Sequence, residues 1–257
     1  MKIIISPAKK MKENTDSLKP EGLPVFLDEV KRLRDRINGF NLEEQKVLWA
    51  CSDRIAAENS ERFKHMEPDK AGTPAILAYD GIQYTYMAPS VFEEGQFDYV
   101  EANLRILSGF YGVLKPMDAV VPYRLEMQAR LKMDEYKDLY GFWGDRIYKE
   151  VRDESGVIIN LASAEYSRCV ERFLRPEDVF ITCVFGEEEK GRIVQKGVYA
   201  KMARGSMVRY MAERNISDPE QLKDFGVGGY HFEEELSDRE KYVFIRDKSR
   251  DDMELSK

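Results

Sequence analysis

Cysteine and histidine are scarce in this sequence, and their spacing argues against the sites that depend on them. Cys51, Cys169 and Cys183 are the only cysteines and form no Cys-x-x-Cys pair, so a disulfide framework is not expected. His65 and His231 are the only histidines, and they stand far apart without a metal-ligand spacing. We therefore predict no metal site, no cofactor and no serine-hydrolase chemistry.

Long apolar runs and phosphate-binding loops are also missing. No stretch approaches the roughly 20 apolar residues of a membrane span, and no Gly-Lys-Ser/Thr loop occurs. These absences argue against a membrane protein and against P-loop nucleotide hydrolysis. The start of the chain shows no signal-peptide pattern. We expect a soluble protein of the reducing cytoplasm, with no membrane partner.

The charge balance limits how the chain can meet a polyanion. Its net charge is -7, with 47 acidic against 40 basic residues. This balance excludes the basic coat of a nonspecific nucleic-acid condenser. Any binding to nucleic acid must therefore use a local cluster of cations.

The hydrophobic pattern indicates an α+β (mixed α/β) fold. The 257 residues, 43% of them hydrophobic, can bury a large core, and no segment has the composition of a linker. We predict one compact domain over residues 1–257, with a charged, frayed tail from about residue 247. Strand patterns cover residues 2–5, 74–79, 157–161, 179–185, 192–196 and 242–245, and helix patterns cover 24–39, 42–64, 97–107 and a segment from about 198.

The first candidate site segment follows the N-terminal strand. The apolar run Lys2-Ile3-Ile4-Ile5 stops at Ser6-Pro7-Ala8-Lys9-Lys10. A buried strand that ends in a proline-stiffened loop can deliver Lys9 and Lys10 to an anion.

The second segment, residues 107–116, is a glycine turn. Gly109 and Gly112 bracket two aromatic residues, and Lys115 follows them. Such a turn exposes backbone amides that can face a phosphate, as helix-hairpin-helix modules do on a DNA backbone. The alternative is a helix C-cap at Gly109 followed by a tight turn.

The third segment, residues 122–131, alternates in polarity. If it is extended, Tyr123, Leu125 and Met127 point one way while Arg124 and Glu126 point the other. The polar row is either a solvated surface or a cleft wall in which Arg124 binds phosphate and Glu126 orients it.

The fourth segment is a basic helix that begins near residue 198. Lys201, Arg204 and Arg209 lie opposite its apolar stripe. Gly205 falls on the basic side, at a cost of about 1 kcal/mol relative to alanine, which indicates close approach of a backbone or ligand. The alternative is an ordinary solvated helix face.

Together these segments resemble the bacterial peroxide-stress protein YaaA family. The resemblance runs through nearly the whole chain in order, and it rests on Ser6-Pro7-Ala8-Lys9, residues 107–118, residues 122–127, Phe142-Trp143, Asn160-Leu161-Ala162-Ser163 with Glu165-Tyr166, and residues 199–205. Two positions depart from the commoner family pattern, since Lys10-Met11 stands where Thr-Leu is frequent and Lys115 where Arg is frequent. A lysine meets a phosphate as a point charge, without the bidentate geometry of arginine. We expect affinity to change more than the mode of binding.

The resemblance implies a cytosolic protein of the hydrogen-peroxide response that limits unincorporated iron. It also implies DNA binding through a positively charged cleft, in a distinctive single-domain fold with a helix-hairpin-helix element. Carried onto this sequence, that element falls on residues 107–116, and the cleft draws on Lys9, Lys10, Arg124, Lys201, Arg204 and Arg209. DNA is the expected partner, and a monomer is compatible with the sequence, which leaves the oligomeric state open.

Two functions remain open at this point. The first is a nonenzymatic protein that binds duplex or branched DNA and protects or repairs it under oxidative stress. The second is an enzyme acting on a nucleobase, nucleotide or modified nucleic acid, because carboxylates and tyrosines stand beside the cations. Its candidate catalytic residues are Glu126 or Glu165 as the acid–base group, assisted by Tyr166 or Tyr199. Direct iron binding is not expected, because no acidic or histidine cluster has a suitable spacing.

Overall fold

A computed structural model describes residues 1–13, 18–70 and 72–247. The strands are β1 (Lys2–Ile5), β2 (Lys10–Met11), β3 (Thr73–Pro74), β4 (Tyr79–Asp80), β5 (Leu104–Ser108), β6 (Gly112–Leu114), β7 (Ala119–Val120), β8 (Val157–Leu161), β9 (Val179–Glu189), β10 (Arg192–Val194), β11 (Tyr230–Phe232) and β12 (Lys241–Arg246). The α-helices are α1 (Leu27–Asn38), α2 (Leu42–Trp49), α3 (Asp53–His65), α4 (Ala75–Ala78), α5 (Ile82–Met87), α6 (Glu94–Asn103), α7 (Leu139–Trp143), α8 (Arg146–Val151), α9 (Ala164–Glu171) and α10 (Gly197–Arg214). Short 3-10 helices cover Pro68–Lys70, Pro89–Val91, Pro219–Asp224, Val227–Gly229 and Glu234–Leu236. The predicted tail beyond residue 247 lies outside the described residues.

A mixed sheet of eight strands forms the centre of the fold, in the order β11-β12-β9-β8-β1-β5-β6, with β10 paired to β9. The five strands from β12 to β5 run parallel, and β11, β6 and β10 are antiparallel to their neighbours. In β1, Ile3, Ile4 and Ile5 are completely buried. A parallel strand covered on both faces must be apolar at consecutive positions, which is why this run lies in the middle of the sheet. The mixed α/β fold predicted from the sequence is confirmed.

Most of the stronger strand and helix predictions are confirmed. β8, β9 and β12 lie where the sequence pattern places them, and α10 is the predicted basic helix. The hairpin of β9 and β10 is longer than predicted, because Glu187 to Glu189 continue the strand and pair with β10. In the part of the chain that the structure describes, no helix has the length and apolarity needed to cross a membrane.

Three predicted elements differ from the structure because tertiary contacts determine them. The helix predicted over 97–107 ends with α6 at Asn103, and the next five residues are all buried as β5 beside β1. The helix predicted over 42–64 is divided into α2 and α3 at Ala50, whose φ of 43° is left-handed. The strand predicted over 74–79 contains α4 instead, where the backbone N–H of Ala75 and of Ile76 donates to the 116–118 turn.

The glycine turn at residues 107–116 is a β-hairpin, so the helix-hairpin-helix element predicted there is wrong. Strands β5 and β6 pair Ser108 with Gly112 across this turn. The Ser108 hydroxyl accepts hydrogen bonds from the backbone N–H of Phe110, at 3.2 Å, and of Tyr111, at 2.9 Å. A serine that satisfies buried amides in this way stabilises a tight turn between strands.

Candidate functional site

A cleft of about 580 Å³ opens at the carboxyl ends of β1 and β8. These strands are neighbours, but the chain leaves β1 toward β5 on one side and leaves β8 toward β9 on the other. Open α/β sheets place ligand sites where the connections diverge in this way, because the parting loops leave a crevice. The cleft therefore occupies the position that this topology favours for a site.

Two serines join the strand ends that line the cleft. The backbone N–H of Ser163 donates to the Ser6 hydroxyl at 2.8 Å, and the two hydroxyls lie 3.2 Å apart. The Tyr84 hydroxyl donates to the Ser6 carbonyl at 3.1 Å. These contacts hold the loop that carries Lys9 and Lys10 against β8 and α5.

Helices α5 and α10 form one wall of the cleft. Gln83 from α5 and Lys201 and Arg204 from α10 line it. The helices approach closely at Gly205, where an added Cβ would lie 2.0 Å from the Gln83 carbonyl oxygen and 2.9 Å from the Met87 nitrogen. The close approach predicted at Gly205 is therefore to the backbone of a neighbouring helix.

The alternating segment forms the opposite wall, and its predicted alternation is confirmed. Tyr123, Leu125 and Met127 are buried, while Arg124 and Glu126 are half-buried. Arg124 and Glu126 both line the cleft. The segment is therefore a wall of the cleft and not an open solvated surface, while phosphate binding by Arg124 stays a prediction.

Glu126 is paired with two of the cleft cations. Its carboxylate lies 2.9 Å from the Lys9 ammonium and 3.4 Å from the Arg124 guanidinium. Arg124 and Glu126 expose only 15% and 19% of their side chains, whereas Lys9 exposes 64%. The ion pair at Arg124 is therefore sheltered, and Lys9 reaches the cleft from solvent.

Glu165 brings a second carboxylate to the cleft. It accepts a hydrogen bond from the Gln128 backbone N–H at 3.2 Å. Burial raises the pKa of the Glu165 carboxyl, and the nearby charge of Glu126 raises it further. Beside it, burial raises the pKa of the Tyr166 hydroxyl well above its ordinary value. Glu165 thus holds a proton more readily than an ordinary glutamate, while Tyr166 stays neutral.

Arg204 is a sheltered cation without a carboxylate partner among the described residues. Its Nε is buried and has no hydrogen-bond partner there. Burial lowers the pKa of the Arg204 guanidinium, and Cys183 has a smaller effect in the opposite direction. A sheltered guanidinium is costly unless it meets an acceptor. Arg204 is therefore suited to a ligand that brings its own acceptor or negative charge.

The structure brings eight of the predicted site residues together. The residues that line the cleft are Lys9, Lys10, Arg124, Glu126, Glu165, Tyr166, Lys201 and Arg204. They come from four separate segments of the chain, which the fold gathers at one end of the sheet.

Two further predicted residues on α10 do not line the cleft. Arg209 pairs with Glu213 at 2.6 Å, and the Tyr199 ring packs against Arg246, whose guanidinium lies 3.7 Å from its centroid. Arg209 follows Arg204 by five residues, so about 140° separates them around the helix axis. The helical spacing turns Arg209 away from the wall that Arg204 forms.

The remaining predicted residues belong to the β-hairpin and not to the cleft. Gly109 and Gly112 are buried, and a Cβ on them would lie 2.5 Å from the Leu125 carbonyl oxygen and 2.8 Å from the Trp143 ring. Close packing accounts for glycine at position 109, and close packing together with a left-handed φ of 72° accounts for it at position 112. Lys115 lies at the opposite end of the sheet, beside a second cavity of about 490 Å³.

Sequence reasoning missed part of the cleft. Ser6 had a usable signal, because it directly follows a buried strand whose carboxyl end faces the site. Gln83 and Tyr84 had no such signal, since the short helix α5 is placed at the cleft by tertiary contacts, namely its packing on α10 and the hydrogen bond from Tyr84 to Ser6.

Comparison with known proteins places the chain in a family. The family model for the peroxide stress protein YaaA matches residues 1–236. A UPF0246 protein of Desulfitobacterium hafniense (strain Y51) is 54% identical over 246 residues, covering 96% of this chain and 98% of that protein. UPF0246 proteins of Agathobacter rectalis and Limosilactobacillus reuteri are 53% and 48% identical, each covering at least 95% of this chain and 98% or more of the relative. This chain therefore belongs to the peroxide stress protein YaaA family.

Proposed function

We propose that this protein binds DNA during peroxide stress and that the cleft at the ends of β1 and β8 is its binding site. Lys9, Lys10 and Lys201 are exposed at the cleft and meet backbone phosphates as point charges. Arg124 and Arg204 are sheltered and meet acceptor groups of the bound nucleic acid. Contacts of this kind are local, as the net charge of -7 requires.

The observation that carries this proposal is the state of Arg204. Most other sheltered cations in the described residues have an acidic partner, as Arg152 does with Asp178 at 2.8 Å. Arg204 lines a cleft and has no such partner among them. A guanidinium held in this way is preorganised for an anionic or acceptor-rich ligand, because no carboxylate of the described residues must be released first.

The test is the salt dependence of DNA binding by the full chain. We expect the parent to bind a duplex and a four-way junction with affinity that falls steeply with salt. Replacing Lys9, Lys10 and Lys201 by alanine should make the slope of log affinity against log salt shallower by about 0.9 per lost phosphate contact, and weaken binding on the order of a hundredfold at 0.1 M salt. Fluorescence anisotropy of labelled DNA provides both values.

A matched control uses three exposed lysines that do not line the cleft. Lys64, Lys70 and Lys149 each pair with an acidic residue three or four positions away. Their triple alanine variant should keep the parent slope. Equal slopes for the parent and the cleft variant would remove the cleft from the proposal, and no binding by the parent at low salt would contradict DNA binding altogether.

A second candidate function is acid–base chemistry on a nucleobase, nucleotide or modified nucleic acid. The observation that favours it is the state of Glu165. Burial and the nearby charge of Glu126 both raise the pKa of this carboxyl, and the neutral phenol of Tyr166 lies beside it. A carboxyl whose pKa is raised holds its proton more readily and can serve as a general acid. Tyr199 has no part in this scheme, because it lies outside the cleft.

We expect a Glu165→Gln variant to keep DNA binding close to that of the parent, because glutamine has the size of glutamate and retains an acceptor oxygen. If the protein is an enzyme, that variant should also lose product formation over a panel of damaged and intact oligonucleotides followed by mass spectrometry. No turnover by the parent over the panel would leave DNA binding as the function and count against catalysis.

The effect on unincorporated iron that the family resemblance implies is proposed to be indirect. Glu126 is already held by Lys9 and Arg124, and Glu165 by a backbone amide. Iron prefers several free oxygen or nitrogen ligands in one place. Within residues 1–13, 18–70 and 72–247, no group of three His, Cys, Asp or Glu side chains could hold a metal ion.

A further inference from the structure

The size of the cleft limits what part of a nucleic acid can enter it. Its volume of about 580 Å³ falls in the range of about 300 to 1,000 Å³ that is typical of small-molecule sites. A DNA duplex, whose major groove alone is about 12 Å wide, is much larger. A duplex can therefore lie across the mouth of the cleft while only a nucleotide-sized group enters.

The charges of the cleft are arranged by depth. Lys9, Lys10 and Lys201 are exposed, so they stand at the mouth. Arg124 and Glu126 are sheltered, with 15% and 19% of their side chains exposed, and so mark the interior. Positive charge thus dominates the mouth, while the interior contains both signs.

The interior suits a nucleobase better than a phosphate. A phosphate placed inside would face the carboxylates of Glu126 and Glu165, and like charges repel strongly in a sheltered site. A base instead offers N–H donors to those carboxylates and carbonyl or ring-nitrogen acceptors to Arg204. Tyr84 and Tyr166 also line the cleft, and their largely buried rings add apolar surface to its wall.

We propose that the cleft holds a single extrahelical nucleotide of a bound DNA. The base lies inside, with its amino group directed to Glu126 and Glu165, and the flanking phosphates contact Lys9, Lys10 and Lys201 at the mouth. This inference rests on the proposed DNA binding and adds the part of the DNA that is recognised. Bases with an exocyclic amino group are preferred over thymine, because thymine offers these carboxylates a single N–H donor.

The experiment compares three labelled duplexes that differ at one position. One is perfectly paired, one carries a single unpaired cytosine, and one carries a single unpaired thymine. We expect the cytosine bulge to bind about tenfold more tightly than the perfect duplex, because its base needs no unpairing. We expect the thymine bulge to bind less tightly than the cytosine bulge. In a fourth duplex with unpaired 2-aminopurine, fluorescence should rise on binding as that base leaves the stack.

Two tryptophan variants connect the result to the cleft. Ile82 lines the cleft and is 37% exposed, so Ile82→Trp fills space there without disturbing the core. In this variant the ratio of the affinity for the cytosine bulge to that for the perfect duplex should fall to about one, and the fluorescence rise should disappear. Val25 is 55% exposed beside the cavity at the other end of the sheet. Val25→Trp should therefore keep both the preference for the cytosine bulge and the fluorescence rise.

The possible outcomes separate this inference from the function on which it rests. Equal binding of bulged and perfect duplexes without a fluorescence rise overturns the nucleotide pocket and leaves DNA binding standing. A bulge preference that survives in Ile82→Trp also overturns it. If free deoxycytidine monophosphate binds as tightly as the cytosine bulge, the ligand is a free nucleotide and not an extrahelical one. No binding to any duplex overturns both proposals.

Discussion

Replacing Gly205 by alanine is expected to lower the free energy of unfolding by about 3 kcal/mol. The new Cβ would lie 2.0 Å from the Gln83 carbonyl oxygen. Both the Cβ and this oxygen are fixed to the backbone of a helix, so no side-chain rotation can relieve the clash. The helices α5 and α10 must separate to accept it. Because both helices line the cleft, DNA affinity should fall along with stability. Denaturant unfolding followed by circular dichroism measures the first effect.

Gly197, the first residue of α10, is the matched control on the same helix. Within the described part of the chain, no heavy atom lies within 4 Å of a Cβ added there. Gly197→Ala should leave stability unchanged or raise it by up to about 1 kcal/mol, since alanine favours a helix. Similar stabilities for the two alanine variants would contradict a backbone contact between α5 and α10 at Gly205.

The central strand and the basic helix could be predicted because their patterns reflect burial directly. Three consecutive isoleucines are stable only where both faces of a strand are covered, as in β1. The apolar stripe of α10 has helical spacing over many residues, and its Ala203 and Met207 are buried as predicted. A long pattern of this kind predicts a helix well, because many apolar residues must all follow the same spacing of about 3.6 residues.

The segment from Leu104 to Ser108 shows where such prediction stops. Its residues follow α6 without a glycine or proline, so nothing in the local sequence ends the helix. The structure makes it a strand because the edge of β1 offers backbone hydrogen bonds. That partner is about 100 residues away in sequence, beyond any local window. The hairpin that follows was mispredicted for the same reason.

Individual residues of the candidate site could be predicted only where the local sequence allowed a single structural interpretation. Lys9 follows a buried strand, and the parallel arrangement of β1 and β8 brings it to the same end as Glu165. Arg204 and Arg209 look alike in sequence, yet one is sheltered in the cleft and the other pairs with Glu213 at the surface. Their five-residue spacing places them about 140° apart around the helix, and the packing of α10 on α5 determines which of the two is sheltered.

Arg204 leads to the second large effect, in which stability and binding change in opposite directions. Arg204→Met keeps the length of the side chain and removes a sheltered charge that has no carboxylate partner in the described residues. We expect the free energy of unfolding to rise by about 1 to 3 kcal/mol, the usual cost of a buried unsatisfied group. Binding of the bulged duplex should weaken at least tenfold, because the guanidinium that meets the ligand is lost.

Arg209→Met on the same helix separates this effect from a general loss of positive charge. Arg209 is 40% exposed and paired with Glu213, so its replacement should change stability by less than about 0.5 kcal/mol and leave the bulge preference intact. Functional sites keep groups that destabilise the fold because the ligand requires them. If Arg204→Met were less stable than the parent, the guanidinium would have a structural partner and the argument for a ligand at Arg204 would fail. If it were more stable but bound DNA equally well, Arg204 would be sheltered without contacting the ligand.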